Sequence, residues 1–240
     1  MKIAIFGDSY AQETAGAIAW SHILRAQYHY NIHNYACGAT CLFWSYQQLV
    51  KHIDNFDTIV FVATQVGRLY WPTVEDAPDS LHTISGITTI QNTIKNNPSM
   101  NPNRLAVFKA AEQYYLNLAN LNFDTFVHNQ ILKEISILCG KRKKKLIMIP
   151  AFDVSIIRPS AFRCSLFDVS AKELITQFGK KKINRRYIFE KNTRSNHMSA
   201  ENNMVVAGIV DKLLREEVFS IDLDNFVFKK VANPELYWDI

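Results

Sequence analysis

No stretch of this chain reaches the roughly 20 consecutive apolar residues needed to cross a bilayer. No basic N-terminal region leads into an apolar segment with a small-residue cleavage site. Neither a membrane span nor a conventional export signal is therefore expected, and the expected location is the cytoplasm. Cysteine is scarce. The four present, Cys37, Cys41, Cys139 and Cys164, show no Cys-x-x-Cys spacing and no adjacent histidines, which argues against a zinc site or a disulfide framework. Reduced, packed thiols are expected, with no metal and no cofactor. Internal repeats are absent too, as is any nucleic-acid recognition motif.

What the chain does have is apolar mass. With 240 residues, 48% hydrophobic and 12% aromatic, it can bury one large core. We read residues 1–219 as one domain and 220–240 as a tail. The net charge of +5 is concentrated in Lys141 to Lys145 and in Lys180 to Lys182 with Arg185 and Arg186. Either cluster could bind phosphate. The first, however, lies between a helical segment ending near Gly140 and a strand from Leu146 to Ile149, where lysines favourably cap helix carbonyls. Without a recognition motif, nucleic acid is not an expected partner.

Apolar runs recur at Ile3 to Phe6, around Tyr30 to Ala36 and at Thr58 to Ala63, separated by amphipathic stretches. The first such stretch, about Thr14 to Gln27, puts Ile18, Ile23 and Leu24 near one stripe. The second, Cys41 to Ile53, repeats Leu42, Tyr46, Leu49, Val50 and Ile53 at spacings of three and four. Crossovers of that length join parallel strands. Helices are predicted over Arg104 to Leu121 and Phe126 to Leu138, a fourth strand over Lys145 to Phe152, and a last helix over Ala200 to Glu217 with Ser199 as N-cap. The expected fold is α/β, a three-layer α/β/α sandwich with a doubly wound, mainly parallel sheet. Residues 65–103 and 153–196 break the rhythm and read as excursions. The tail carries Phe226, Phe228, Tyr237 and Trp238 among charges, which suggests docking on this domain, on a second copy or on an assembly partner.

Chemistry concentrates where the first strand ends, at Gly7-Asp8-Ser9-Tyr10. Such loops lie at the carboxyl edge of a parallel sheet, where ligands bind. All three of Gly7, Asp8 and Ser9 also favour plain turns. Together with Gly38 in Tyr35-Ala36-Cys37-Gly38-Ala39-Thr40 and His197 in Asn196-His197-Met198-Ser199, the tripeptide resembles, in order along the chain, the sequence blocks of the SGNH hydrolases, also called GDSL esterases and lipases. The resemblance implies the family's flavodoxin-like sandwich, with Ser9 as nucleophile, Gly38 as a backbone oxyanion donor and His197 as general base. Elementary chemistry makes the set sensible: a serine hydroxyl needs a neighbouring base, and a developing oxyanion needs donors fixed in advance. Gly38 could equally be a turn glycine, and His197 a helix-capping or solvated residue. The remaining histidines, His22, His29 and His128 among them, read as structural or exposed.

Two of the family's features are missing. In place of a Gly-x-Asn block after the third strand stands Ala63-Thr64-Gln65-Val66-Gly67-Arg68. Gln65 is the nearest amide for the oxyanion, with Thr64 or Arg68 as substitutes and Asp8 as a further binding candidate. Three residues before His197, where the family has an aspartate that orients the ring, stands Arg194. A backbone carbonyl, Asp153 or, second, Asp168 must hold the imidazole instead, or the pair is a dyad. By family analogy alone, the substrate is an ester, an acyl (acetyl) group on a carbohydrate, and Tyr10, Trp44, Tyr70 and Trp71 could stack on sugar rings or simply fill the core. The alternative is a domain of this fold that has lost efficient catalysis and serves binding or assembly.

Overall fold

A computed structural model describes residues 1–13, 18–72, 78–81, 86–152, 161–178, 195–217 and 219–229. In chain order its elements are β1 (Lys2–Phe6), α1 (Trp20–Ala26), β2 (Asn31–Asn34), α2 (Leu42–His52), β3 (Thr58–Ala63), β4 (Leu69–Pro72), β5 (Pro78–Leu81), α3 (Gly86–Asn96), α4 (Pro102–Asn117), α5 (Leu121–Lys141), β6 (Lys145–Pro150), α6 (Leu166–Phe178) and α7 (Ala200–Leu214). Four strands form one sheet in the order β2-β1-β3-β6, all parallel. Helices lie on both faces, so the molecule is the three-layer α/β/α sandwich expected.

The continuous apolar strands are explained by burial on both sides. Alternate side chains point to opposite faces. Ile3, Ile5, Val60, Val62, Ile147 and Ile149 pack with residues of α1, α6 and α7, whereas Ala4, Phe6, Ile59 and Phe61 pack with α2 and α5. All six residues of β3 are buried. Each large side chain so buried contributes about 1.5–3 kcal/mol. β1 and β3 occupy the centre of the sheet, and the loops after them open at its carboxyl edge.

Several boundaries differ from expectation. α1 begins only at Trp20, whose indole Nε1 donates to the Tyr10 carbonyl at 2.9 Å, and Ile18 precedes the helix and is exposed. On α2 the sheet-facing residues are Leu42, Ser45 and Leu49, leaving Val50 half exposed. The small Ser45 takes the position that periodicity alone would give to a larger apolar residue. β6 ends at Pro150, and α7 ends at Leu214 with the Ser199 hydroxyl accepting from Asn202 N at 3.1 Å, the predicted cap.

The described parts of the two supposed excursions hold regular elements that their composition did not suggest. Residues 65–103 contain the antiparallel pair β4 and β5 and the helix α3, whose Ile87, Ile90 and Ile94 recur at helical spacing amid Thr and Asn. Residues 153–196 contain α6, introduced by Ser165 and Asp168. The Asp168 carboxylate accepts from Ser165 N at 2.8 Å and Ser165 Oγ at 2.7 Å, while Asp168 N donates back to Ser165 Oγ at 3.1 Å. That Ser-x-x-Asp start is a reciprocal cap of the kind sequence can announce.

The described part of the tail docks on its own domain. Phe226 is buried in the main core, and Asn202 clasps Val227 in both directions, Nδ2 to its carbonyl at 2.9 Å and Oδ1 from its N–H at 2.8 Å. Tyr237 and Trp238 lie outside the described residues. In the first basic cluster Lys145 Nζ donates to the Leu214 carbonyl at 2.8 Å, capping α7 rather than the preceding α5, and Arg142 pairs with Asp54 at 3.1 Å. The second cluster is outside the described residues. Among those described, no helix is long and apolar enough to cross a membrane.

Candidate functional site

Ser9 leaves the sheet through a backbone only glycine accommodates easily. Gly7 has φ +151°, and a Cβ there would stand 2.7 Å from Val62 Cβ and 2.9 Å from the Val62 carbonyl. The chain can therefore cross close over β3 and turn at once into the loop that holds Ser9. At the other end of the sequence Asn196 and His197 take consecutive left-handed conformations, φ 50° and 59°, in the short turn before α7. The two turns meet. Ser9 Oγ lies 2.8 Å from His197 Nε2 across 188 residues of chain.

Contacts among the described residues hold the histidine turn in place. Ser170 Oγ, on α6, donates to the His197 carbonyl at 2.7 Å. The Tyr10 ring lies against the imidazole with centroids 4.9 Å apart. Asn196 Nδ2 donates to the Gln12 carbonyl at 2.9 Å and the Ser9 carbonyl at 3.3 Å, riveting the histidine turn to the serine loop. Asn196 had no role in the sequence reading. Its signal was the tolerance of Asn for left-handed backbone immediately before the histidine. Below the turn, the buried Glu173 carboxylate binds Ser199 N at 3.2 Å, Ser199 Oγ at 2.5 Å and the Asn202 amide, so the start of α7 is fixed as well.

Gly38 adjoins the nucleophile. A Cβ on it would be 3.7 Å from Ser9 Cβ and would displace the end of the flexible Gln12 side chain, so this backbone runs close beside the serine. Ala39, at φ 63°, turns the chain away, with Thr40 Oγ1 closing the turn on the Cys37 carbonyl at 2.8 Å. Among the described residues neither the Ser9 nor the Gly38 backbone N–H is given to a protein acceptor.

Asp8, Thr64 and Arg68 occupy another place. The fully buried Asp8 carboxylate accepts from Tyr10 N at 3.0 Å, Thr64 Oγ1 at 2.6 Å and Arg68 NH1 at 3.1 Å. The same Arg68 nitrogen donates to the Thr40 carbonyl at 2.8 Å, and the guanidinium sits over the Phe152 ring at 5.0 Å. Burial pushes Arg68 below the ordinary guanidinium value and Asp8 opposes that shift. Asp8 is an acceptor only and the Thr64 proton is spent on it, so these residues tie the loops after β1, β2 and β3 together beneath the site.

Gln65 makes no hydrogen bond to the Ser9 loop. It lines a cavity between α2 and α5 whose walls contain neither Ser9 nor His197. His128, read as structural or exposed, is buried and its Nε2 lies 3.0 Å from the Thr64 carbonyl. Tyr10 is buried in the core and so is not a free platform for a sugar, while Trp44 is half buried and Tyr70 is partly exposed. The Trp71 side chain is outside the described residues. Of the carboxylates considered for His197, Asp168 is turned into the α6 cap, and Asp153, like Arg194, lies outside the described residues.

The four cysteines are free thiols, Cys37 half buried and the others buried. Burial raises all four pKa values, Cys139 to about 11 and Cys164 to about 12, which keeps them protonated at neutral pH. Among the described residues no cluster of His, Cys, Asp or Glu could hold a metal ion. No protein-family model matches the chain, and no curated protein matches it.

Proposed function

We propose that this protein is a serine ester hydrolase in which Ser9 is the nucleophile and His197 the general base. The observation that carries the reading is the 2.8 Å contact between Ser9 Oγ and His197 Nε2 at the carboxyl edge of a parallel sheet. In the proposed reaction Nε2 takes the hydroxyl proton as Oγ attacks the ester carbonyl. The alkoxide leaves with that proton, and water then releases the acyl group by the reverse transfer. The Ser9 and Gly38 amides are the proposed oxyanion donors, since removing one such donor in a related chemistry costs about 100- to 1,000-fold in turnover. The resemblance of the Gly-Asp-Ser, glycine and histidine blocks to SGNH hydrolases supports the same roles. By that analogy alone the ester is an acyl, most simply acetyl, group on a carbohydrate.

The test is labelling of the full chain with a fluorophosphonate probe, followed by hydrolysis of a small chromogenic ester. Wild type should label. Ser9→Ala should lose labelling and turnover while keeping its melting temperature, because one hydroxyl is removed from a loop. Equal activity of Ser9→Ala and wild type overturns the mechanism. A second reading, a domain of this fold that binds without efficient turnover, draws on Gln65, whose side chain lies in the wall of a different cavity instead of supplying a third oxyanion donor. Folded wild type that fails to label would favour it.

A further inference from the structure

We propose that the outer face of α5 is a dimer interface, on which a second copy of this chain lays its own α5 antiparallel. The helix has two stripes. His128, Leu132, Ile135 and Cys139 are buried, and the last three pack with strand residues of the sheet. On the opposite side Phe123, Phe126, Gln130, Lys133, Ile137 and Gly140 are all exposed, Phe123 and Phe126 at 62% and 59%. A helix with apolar residues on both faces needs cover on both.

The outer stripe is spaced 3, 4, 3, 4 and 3, the alternation with which one helix meets another along a coiled-coil seam. Read from either end of the helix, the spacing is the same. Two copies set antiparallel about the midpoint between Ile131 and Leu132 therefore bring the six positions opposite one another in three kinds of layer, each occurring twice: Phe123 over Gly140, Phe126 against Ile137, and Gln130 beside Lys133.

The layers match in size and in polarity. At Gly140 an added Cβ would meet nothing within 4 Å, so nothing packed in its own chain calls for a residue that weakens a helix. Opposite the second copy's Phe123, the missing side chain leaves room for a ring. Phe126 and Ile137 cover each other's apolar surface, and the Gln130 side-chain oxygen accepts from the second copy's Lys133, so no polar layer is left stranded. Lys133 and Glu134 are neighbours of opposite sign, and doubling the face adds no net charge. A twofold contact must be self-complementary, and a stripe that pairs with its own reverse meets that demand. The interface contains neither Ser9 nor His197 and stands whether or not that pair is active.

Sedimentation velocity on the full chain tests the proposal. At about 50 μM wild type should be a dimer that dissociates on dilution. Phe126→Lys and Ile137→Glu, both at exposed positions, should each weaken dimerisation by at least about 100-fold without unfolding the chain, because each change occurs twice in a symmetric pair. Mixing the two variants should restore a dimer, in which the introduced ammonium faces the introduced carboxylate and the other such layer keeps Phe126 against Ile137. Gly140→Leu should keep or raise the melting temperature in dilute solution yet weaken dimerisation by about tenfold through overpacking against Phe123. The proposal is overturned if wild type is monomeric at that concentration, which would leave the stripe to a different partner. It is also overturned if the dimer survives Phe126→Lys, which would place it on another surface such as the tail, or if the mixed variants do not pair, which would rule out the antiparallel register.

Discussion

The loops around Ser9 are tied by buried polar side chains, whereas the layer formed by α3 and α4 rests on a cluster of three buried residues, Ile90, Phe108 and Ala111. On the first side Asp8, Arg68, Thr64, Asn196 and Glu173 each bridge segments far apart in sequence. On the second, Leu116 and Leu118 after the cluster, and Leu121, Phe123 and Phe126 along α5, remain exposed. Directional bonds hold atoms to within fractions of an ångström, and a small apolar contact does not. The difference is the one expected between loops held in fixed register by hydrogen bonds and a pair of helices held by a small apolar contact.

The strongest way to break the contrast is Arg68→Met, which strands the Asp8 carboxylate in the interior. A loss of about 3–5 kcal/mol is expected from denaturant unfolding. A loss below about 1 kcal/mol would mean that Asp8 finds water or another partner. Adding Asp8→Asn to Arg68→Met should restore part of the stability.

Asn196→Ala removes two hydrogen bonds to the partly buried Ser9 and Gln12 carbonyls and should cost about 1–3 kcal/mol. Because those bonds join the turns that carry Ser9 and His197, the proposed ester turnover should fall further than the stability change alone explains. Turnover unchanged at a lowered stability would show that the Ser9–His197 contact does not depend on the clasp.

Phe108→Ala probes the other side. Its cost should lie below the roughly 3–5 kcal/mol of a Phe→Ala change in a main core, because the cluster around it is small. Amide exchange should accelerate in α3 and α4 while β1 and β3 keep their protection. Equal acceleration in the central strands would make the two regions one cooperative unit.

The smallest expected effect is a pH dependence. Glu13 accepts from Ser21 Oγ and pairs with Arg25, both at 2.7 Å, and so links the first loop to α1. Burial alone would raise its pKa, but the bonds from Arg25 and Ser21 outweigh burial and the folded value lies below the ordinary one. A depressed folded value means that the stabilisation is complete above the unfolded pKa and is lost as pH falls through the folded one. The stability gap between wild type and Glu13→Gln should therefore be widest near neutral pH and close in acid. A gap independent of pH would remove the carboxylate's role.

Much of the fold was legible because burial on two faces leaves a plain mark: β3 was predicted with its observed ends, and the Ser199 cap at its observed place. α3 was missed because its three isoleucines are diluted by Thr and Asn, which favour non-helical backbone. α6 was missed although Ser165 and Asp168 carry a capping signal, since a carboxylate that caps a helix and one that reaches a distant histidine look alike in sequence. At the site, Ser9, Gly38 and His197 could be named from residue type and order along the chain. The roles of Asp8, Thr64 and Arg68 could not.

By itself the sequence determined which segments become strands of the parallel sheet, because apolar runs and turn residues act locally, and which side chains have the chemistry that acyl transfer would use. Only the tertiary structure decided that a hydroxyl at residue 9 and an imidazole at residue 197 stand 2.8 Å apart, and that Arg68 is spent on Asp8 and Thr40. Hydrogen bonding and charge neutralisation depend on distance in space, and pairings across 188 and 60 residues have no signature in local composition.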